Sequence, residues 1–212
     1  MKHRGIFVTF EGTEGAGKST LIHSVARSLK DSHLGSRNIL LTREPGGSPI
    51  AERIRNVVIE EAVDPLAELF LYEAARAEHV ARKIRPALNQ GDIVLCDRFT
   101  DSALAYQGFA RGLPWKTVKL MNTVATGGLN PQLTVLLDID PAVGLIRARE
   151  QTRFEAEGVE FQKKVRRGFL KARSENPSRW LVLKVAGKTP EELAQRVVKE
   201  LLIRFKPKKA HG

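Results

Sequence analysis

The stretch Phe7-Val8-Thr9-Phe10-Glu11-Gly12-Thr13-Glu14-Gly15-Ala16-Gly17-Lys18-Ser19-Thr20 constrains this chain more than any other. A short apolar run rich in strand formers ends at Gly12. Gly12-x-x-x-x-Gly17-Lys18-Ser19 then completes the spacing of a phosphate loop. An amphipathic segment carrying Leu21, Ile22, Val25, Ala26 and Leu29 follows at once. Each part has a physical task. Gly12, Gly15 and Gly17 let the backbone turn tightly, so that successive N–H groups point into one concavity. The helix beyond adds the positive end of its dipole, which favours an anion there. Lys18 would reach the β- and γ-phosphates of a nucleoside triphosphate, and the Ser19 hydroxyl would ligate Mg²⁺. The loop from Gly12 to Thr20, with Thr13, Glu14 and Ala16, is therefore expected to bind ATP or a relative of it.

With 212 residues the chain is long enough for one domain spanning 1–212 with a sizeable core. No apolar run approaches the length of a membrane span, and Met1-Lys2-His3-Arg4 passes straight into the first strand, which leaves no room for a signal peptide. Cys96, the one cysteine, lies in the apolar run Ile93-Val94-Leu95-Cys96 and reads as a buried strand residue. A cytoplasmic protein is expected. The formal charge of +11 suits polyanionic partners, nucleotides or nucleic acid, but no recognised nucleic-acid-binding motif accompanies it. The basic tail, 206–212, reads as a solvated, frayed end. The five histidines lack metal-ligand spacing, and neither a Gly-x-Ser-x-Gly nucleophile elbow nor the Asn-Lys-x-Asp base-reading motif of a GTPase switch is present.

Apolar runs alternate with helical patterns. Strands are expected at 5–10, 39–42, 93–97, 133–139 and 180–185. Helices are expected near 18–29, 49–60, 64–88, 114–126, 141–149, 159–173 and 190–205. Asp64-Pro65, Asp140-Pro141 and Thr189-Pro190 each put a capping residue before a first-turn proline, and Gly91 ends the long helix after Pro86 has bent or broken its last turns. Such alternation predicts an α/β fold, a five-stranded parallel sheet flanked by helices. Ligands of such a sheet sit beyond the carboxyl ends of its strands, so the residues there are the ones to read.

Beyond the second strand, Arg43 could grip a phosphate bidentately, with Pro45, Gly46 and Gly47 shaping the loop; a charged turn is the plainer alternative. Beyond the third, Asp97 could hold Mg²⁺ and Arg98 a phosphate, or the two could form a strand-end ion pair. Tyr72 and Arg76 are four apart and share a helix face. They could stack on a flat base and bond its edge, or be a core aromatic beside a solvated arginine. After the fourth strand, Arg147, Arg149 and Arg153 flank a short piece that leads into a basic helix, which reads as a lid at about 149–160 or as a solvated basic face.

In these residues the chain resembles the thymidylate kinase family, P-loop enzymes that phosphorylate dTMP with ATP. The resemblance rests on the phosphate loop; Thr42-Arg43-Glu44-Pro45-Gly46-Gly47; Tyr72 with Arg76; Asp97-Arg98-Phe99 with Ser102-x-x-Ala105-Tyr106-Gln107-Gly108; and Arg153-Phe154-Glu155 followed by Val165-Arg166-x-Gly168-Phe169. It implies a P-loop nucleoside monophosphate kinase fold with a short lid, and the substrates ATP and dTMP. It also implies a homodimer, with no membrane and no specific nucleic acid among the partners. Glu14 would lie near the dTMP sugar and the metal. Arg43 and Arg98 would hold the dTMP phosphate, beside Pro45 and Ser102, and Asp97 would help Ser19 and Glu14 with Mg²⁺. Tyr72 would stack on thymine where the family usually has Phe, Arg76 and Gln107 would read the base edge, and Tyr106 would press where a ribose 2′-hydroxyl would sit. Gly15 stands where some members carry an arginine, an arrangement in which the lid supplies the catalytic arginine: Arg153 first, Arg149 second. Thr152 and Val185 depart from the Asp the family often has at each place. Two other readings stay open: a kinase of another nucleotide or deoxynucleoside, and a basic P-loop ATPase that binds nucleic acid.

Overall fold

The computed structural model describes residues 5–148 and 153–206. Five parallel strands, β1 (Ile6–Glu11), β2 (Ile39–Arg43), β3 (Ile93–Asp97), β4 (Leu133–Asp138) and β5 (Trp180–Lys184), form one sheet in the order β2-β3-β1-β4-β5. Every residue of central β1 is buried, because helices cover both faces of a parallel sheet and leave its strands no solvent side. The register sets Phe10 and Arg43 on either side of Asp97. The carboxyl ends of three strands therefore finish level, and Glu11, Arg43 and Asp97 stand at one edge.

On one face, α1 (Lys18–Leu29) and α10 (Pro190–Arg204) bury Leu21, Val25, Leu29, Leu193 and Val197 against Val8, Phe10 and Val135. The expected starts are built as the sequence indicates. Asp64 Oδ1 accepts from Leu66 N, Asp140 Oδ1 from Ala142 N, and Thr189 and Glu192 form a reciprocal capping box. Each cap contributes about 1 kcal/mol. Ser48 caps α2 (Pro49–Glu60) in the same way.

The other face differs from expectation in two places. The long helix α3 (Pro65–His79), expected to be bent or broken near Pro86, is not broken there: it widens into a π-helical turn at Val80–Ile84 and continues as α4 (Arg85–Gln90) until Gly91, in the left-handed region at φ 93°, ends it as expected. Proline has no N–H to donate, and the wide turn, in which Arg85 N bonds Val80 O, absorbs that loss without ending the helix. The second difference is a helix the periodicity gives no sign of. After Arg98 the chain forms α5 (Thr100–Ala103), which runs on as a π-helical stretch at Leu104–Ala110. It is buried on nearly every side, so it has no polar stripe to betray a helical period. Across it lies α9 (Gly158–Glu175), so close that a Cβ on Gly168 would stand 2.7 Å from Ala105 Cα.

The remaining helices among the described residues are α6 (Trp115–Thr126), α7 (Pro141–Arg147), α8 (Arg153–Ala156) and a single 3₁₀ turn at Pro177–Arg179. α7 stops short of the expected 149, with Ala148 already extended, and Arg149 and Thr152 lie outside the described residues. Cys96 is buried in β3 as expected. No helix among the described residues is long and apolar enough to cross a membrane.

Candidate active site

The phosphate loop closes on itself around Lys18. Gly12, Gly15 and Gly17 take φ of 151°, 67° and 90°, and Lys18, 7% exposed, donates from Nζ to the carbonyls of Gly12 (3.3 Å) and Thr13 (3.1 Å). Burial pushes the Lys18 ammonium below its usual pKa, and Arg98 pushes it further the same way. Backbone carbonyls are weak substitutes for phosphate oxygens, so an incoming phosphate gains Lys18 at small cost. A Cβ on Gly15 would fall 1.8 Å from Gly144 O, and one on Gly144 would meet Glu14 O at 2.5 Å. The loop and α7 thus pack backbone to backbone, which leaves no room for an arginine at 15.

Beside the loop, Ser19 Oγ donates to Asp97 Oδ2 at 2.8 Å, while Asp97 Oδ1 is buried without a hydrogen-bond partner among the described residues. A hydroxyl oxygen and an uncommitted carboxylate oxygen side by side are hard donors of the kind Mg²⁺ takes. No group of three or more acidic, His or Cys side chains that could hold a metal ion occurs among the described residues. A magnesium carried in on nucleotide phosphates needs only one or two protein oxygens.

Arg98 joins this end of the site to the next. It is the one non-glycine among the described residues with positive φ (68°), a conformation that costs roughly 1–3 kcal/mol. The strain is held from several sides. Arg98 N donates to Phe10 O, Cys96 Sγ to Arg98 O, and buried Glu11 accepts from Phe99 N (2.8 Å) and Ser102 Oγ (2.6 Å). Burial first, then the nearby Asp101 charge, pushes Glu11 up to about 8. So aimed, the Arg98 guanidinium donates to Gly12 O, Ser102 Oγ and, at 2.7 Å, Glu14 Oε1, and lies over the Tyr106 ring. Tyr106 Oη donates to the same Glu14 oxygen at 2.7 Å. Burial alone would raise Glu14; Arg98 and Lys18 outweigh it and hold the carboxyl below its ordinary value. The alternative reading of Asp97 and Arg98 as a strand-end ion pair is not what forms: Arg98 pairs with Glu14.

A cavity opens from this cluster. Glu14, Pro45, Tyr72, Arg76, Arg98, Ser102, Tyr106 and Gln107, expected from the sequence to meet dTMP, all line it. Arg43 does not. Its side chain is 55% exposed and pairs with Glu52 at 3.0 Å, and Glu52 in turn accepts from Gly47 N. The cation from this side that lines the cavity is Arg55 of α2, bonded to Pro45 O at 3.1 Å, which sequence reasoning missed. A single Arg on an amphipathic helix carries no signal of its own.

At the far end of the cavity Arg76 is 1% exposed, so the solvated-arginine alternative fails. Nε donates to Glu44 (2.7 Å), Nη1 to Glu73 (2.6 Å) and Asn122 (2.8 Å), and Nη2 to Phe99 O (3.2 Å). Four of its five N–H groups are thereby engaged, and the last Nη2 hydrogen has no partner among the described residues. His79 bridges Thr42 and Glu44, which fastens the network to β2. Glu44, His79 and Asn122 escape sequence reading because their partners lie up to 46 residues away, and Glu73, three positions before Arg76, looks like any helix-face pair.

Arg153, the first-choice lid arginine, turns away from the phosphate loop. It donates to Val58 O (2.7 Å) and to the buried carboxylate of Glu68 (2.6 Å), and so clasps α8 to α2 and α3. Arg149 lies outside the described residues.

A parallel sheet ending in a phosphate loop, with a second cavity joined to that loop through a shared arginine, defines a phosphate-loop kinase of the nucleoside monophosphate class. The family model for thymidylate kinase matches residues 10–197. A thymidylate kinase of Syntrophotalea carbinolica is 47% identical over 203 residues, 90% of this chain and 92% of that one. One of Geobacter sulfurreducens is 43% identical over 217 positions, covering 97% and 100%. The crystal structure of thymidylate kinase from Ehrlichia chaffeensis superposes with a TM-score of 0.76 at 34% identity, covering 93% of this chain and 98% of that one. This chain belongs to the thymidylate kinase family.

Proposed function

We propose that the chain transfers the γ-phosphoryl group of ATP to the phosphate of dTMP, giving dTDP and ADP, and that residues 1–212 act as one domain whose segment 149–160 closes as a lid. The observation that carries this reading is the cavity joined to the phosphate loop through Glu14, Arg98 and Tyr106. A nucleotide there would direct its phosphate to Arg98 and Arg55 and its base to Arg76 and Gln107. Gln107 Nε2 donates to Glu68, so its Oε1 is left to accept. With the remaining Nη2 hydrogen of Arg76, the wall offers one donor and one acceptor. The 4-keto oxygen and N3–H of thymine answer both, while cytosine presents the opposite pair. The Tyr72 ring would stack on the base, and Tyr106, held by Glu14, would fill the space of a 2′-hydroxyl.

The acceptor is already an anionic oxygen, so no general base is required. Catalysis comes from alignment and from charge set in place beforehand. Lys18 takes the transferring phosphate, and Arg98 and Arg55 steady the acceptor. Arg43 acts through Glu52 on the 43–47 turn. Ser19 and Asp97, with Glu14 near, would hold Mg²⁺, which when bound neutralises charge on the β- and γ-phosphates. Arg153 fastens the lid through Val58 and Glu68, and the role of catalytic arginine falls to Arg149, the second candidate; Arg149→Ala then lowers kcat far more than it raises KM, and equal effects on both would reassign it. The chain is read as a homodimer. Leu66 and Phe70 of α3 and Leu120 and Val124 of α6 form an exposed apolar face that a second copy would cover. A sedimentation profile of monomers at micromolar concentration would remove that part of the reading.

The test is ADP release with ATP and Mg²⁺ on dTMP, dUMP, dCMP, dGMP, dAMP and thymidine in turn. Strong turnover on dTMP, weaker on dUMP and almost none on dCMP or thymidine is expected. One methyl is worth only about 1–3 kcal/mol in an apolar pocket, so dUMP is the nearest competitor. Equal turnover on thymidine would overturn the acceptor assignment. DNA-stimulated hydrolysis without a phosphorylated product would overturn the reaction.

A further inference from the structure

Glu68 is 0% exposed, sits on α3 one turn before Tyr72, and does not itself line the cavity. Its two oxygens are divided. Oε1 accepts from Gln107 Nε2 at 2.6 Å, and Oε2 accepts from Arg153 Nη2 at 2.6 Å, with Arg111 Nη2 at 3.6 Å. Two guanidinium groups therefore fix a carboxylate that has no hydrogen to offer. An amide facing such a group can present only its NH₂ end. Gln107 must then turn its carbonyl oxygen elsewhere, and that oxygen accepts no hydrogen bond among the described residues although the side chain lines the cavity.

We propose that Glu68 is a positioning residue that sets the polarity of the base-reading edge. By accepting only, it holds Gln107 as an acceptor toward the base, and so selects a ring with a protonated N3 over one with a bare N3. The inference rests on the reading of the cavity as the monophosphate site and assigns the origin of its selectivity to a residue that touches no substrate. An amide at 68 would keep its oxygen on Arg153 and Arg111 and turn its NH₂ group to Gln107. Gln107 could then rotate and offer its NH₂ group to the N3 of cytosine.

The test compares wild type with Glu68→Gln by kcat/KM on dTMP and dCMP, and by calorimetric binding of each nucleotide without ATP. The preference for dTMP over dCMP is expected to fall by about tenfold to a hundredfold, the range of one hydrogen bond exchanged for an unsatisfied buried group. In the Gln107→Ala background, Glu68→Gln should change the preference no further. An unchanged preference in Glu68→Gln, with rates on both nucleotides lowered alike, would assign Glu68 to the fold alone and overturn the proposal. If Glu68→Gln does not fold, Glu68→Asp carries the test. An acceptor-only side chain keeps the preference while KM rises for both nucleotides, and gain of dCMP activity in that variant overturns it. Wild type that does not prefer dTMP at all would instead bring down the reading of the cavity, so the two failures are separable.

Discussion

The two ends of the candidate site, the one proposed for the base and the one proposed for the phosphates, are built on opposite principles. At the base end, Arg76 is sealed among Glu44, Glu73, Asn122 and a backbone carbonyl, and each partner is itself buried or tied to a second element. At the phosphate end, Lys18 rests on two carbonyls, Asp97 keeps an oxygen uncommitted, Ser19 is exposed, and Arg43 spends its charge on a solvent-facing pair. Selecting among flat rings of similar size needs hydrogen-bonding groups that do not adapt. Receiving and releasing several negative charges in each turnover needs groups that are present but cheaply freed. The base end is therefore part of what holds the protein together, whereas the phosphate end is nearly independent of it.

The sharpest break of that contrast comes from the two buried cations. Lys18→Ala should lower turnover by about 10³-fold or more while leaving thermal stability within a few degrees, because the side chain carries transition-state charge and few structural bonds. Near-normal turnover with normal dTMP binding would end the phosphate-loop account. Arg76→Met should instead lose roughly 3–5 kcal/mol in denaturant titrations, since it strands two buried carboxylates. A loss no larger than that of Lys18→Ala would erase the distinction between the ends.

A smaller effect separates the two arginines near the phosphate. Arg55→Ala should raise the KM for dTMP by about tenfold or more, as removal of a charge-assisted hydrogen bond does, and Arg43→Ala by only a few-fold. The reverse order would return Arg43 to the substrate.

The last test is of stability against pH. Glu11, at about 8 when folded against 4.5 unfolded, holds a proton in the native state that the unfolded chain has released. Its contribution is complete below about pH 4.5 and is lost as pH rises through 8. Urea midpoints should fall across that window, and Glu11→Gln should flatten the fall. An identical slope in the variant would place the titration elsewhere.

What could be read from the sequence were the features whose cause is local. The phosphate loop, the caps at Asp64, Asp140 and Thr189, and the end at Gly91 depend on residues within a few positions of one another. The lining of the cavity was legible where a family pattern marks it, as at Tyr72 and Gln107. Arg43 and Arg153 form pairs the sequence does not announce for a shared reason: an arginine's long stem lets it pair with whichever carboxylate the tertiary fold supplies, here Glu52 and Glu68. Arg55, Glu68 and Asn122 matter only through partners on other elements, and Thr100–Ala110 conceals its helix because it meets protein on nearly every side.

The wide turns at Leu104–Ala110 bear on how this site can change over generations. A π-helical stretch in a helix amounts to one residue more than the regular spiral would hold. Deleting a residue there would let the spiral tighten while the flanking turns keep their register, so the residues inside the wide stretch are the ones that would rotate. Tyr106 and Gln107 would then face different neighbours with no substitution at either. A change of length in this stretch is thereby expected to alter which groups face the cavity, and gaps here among relatives would reveal it.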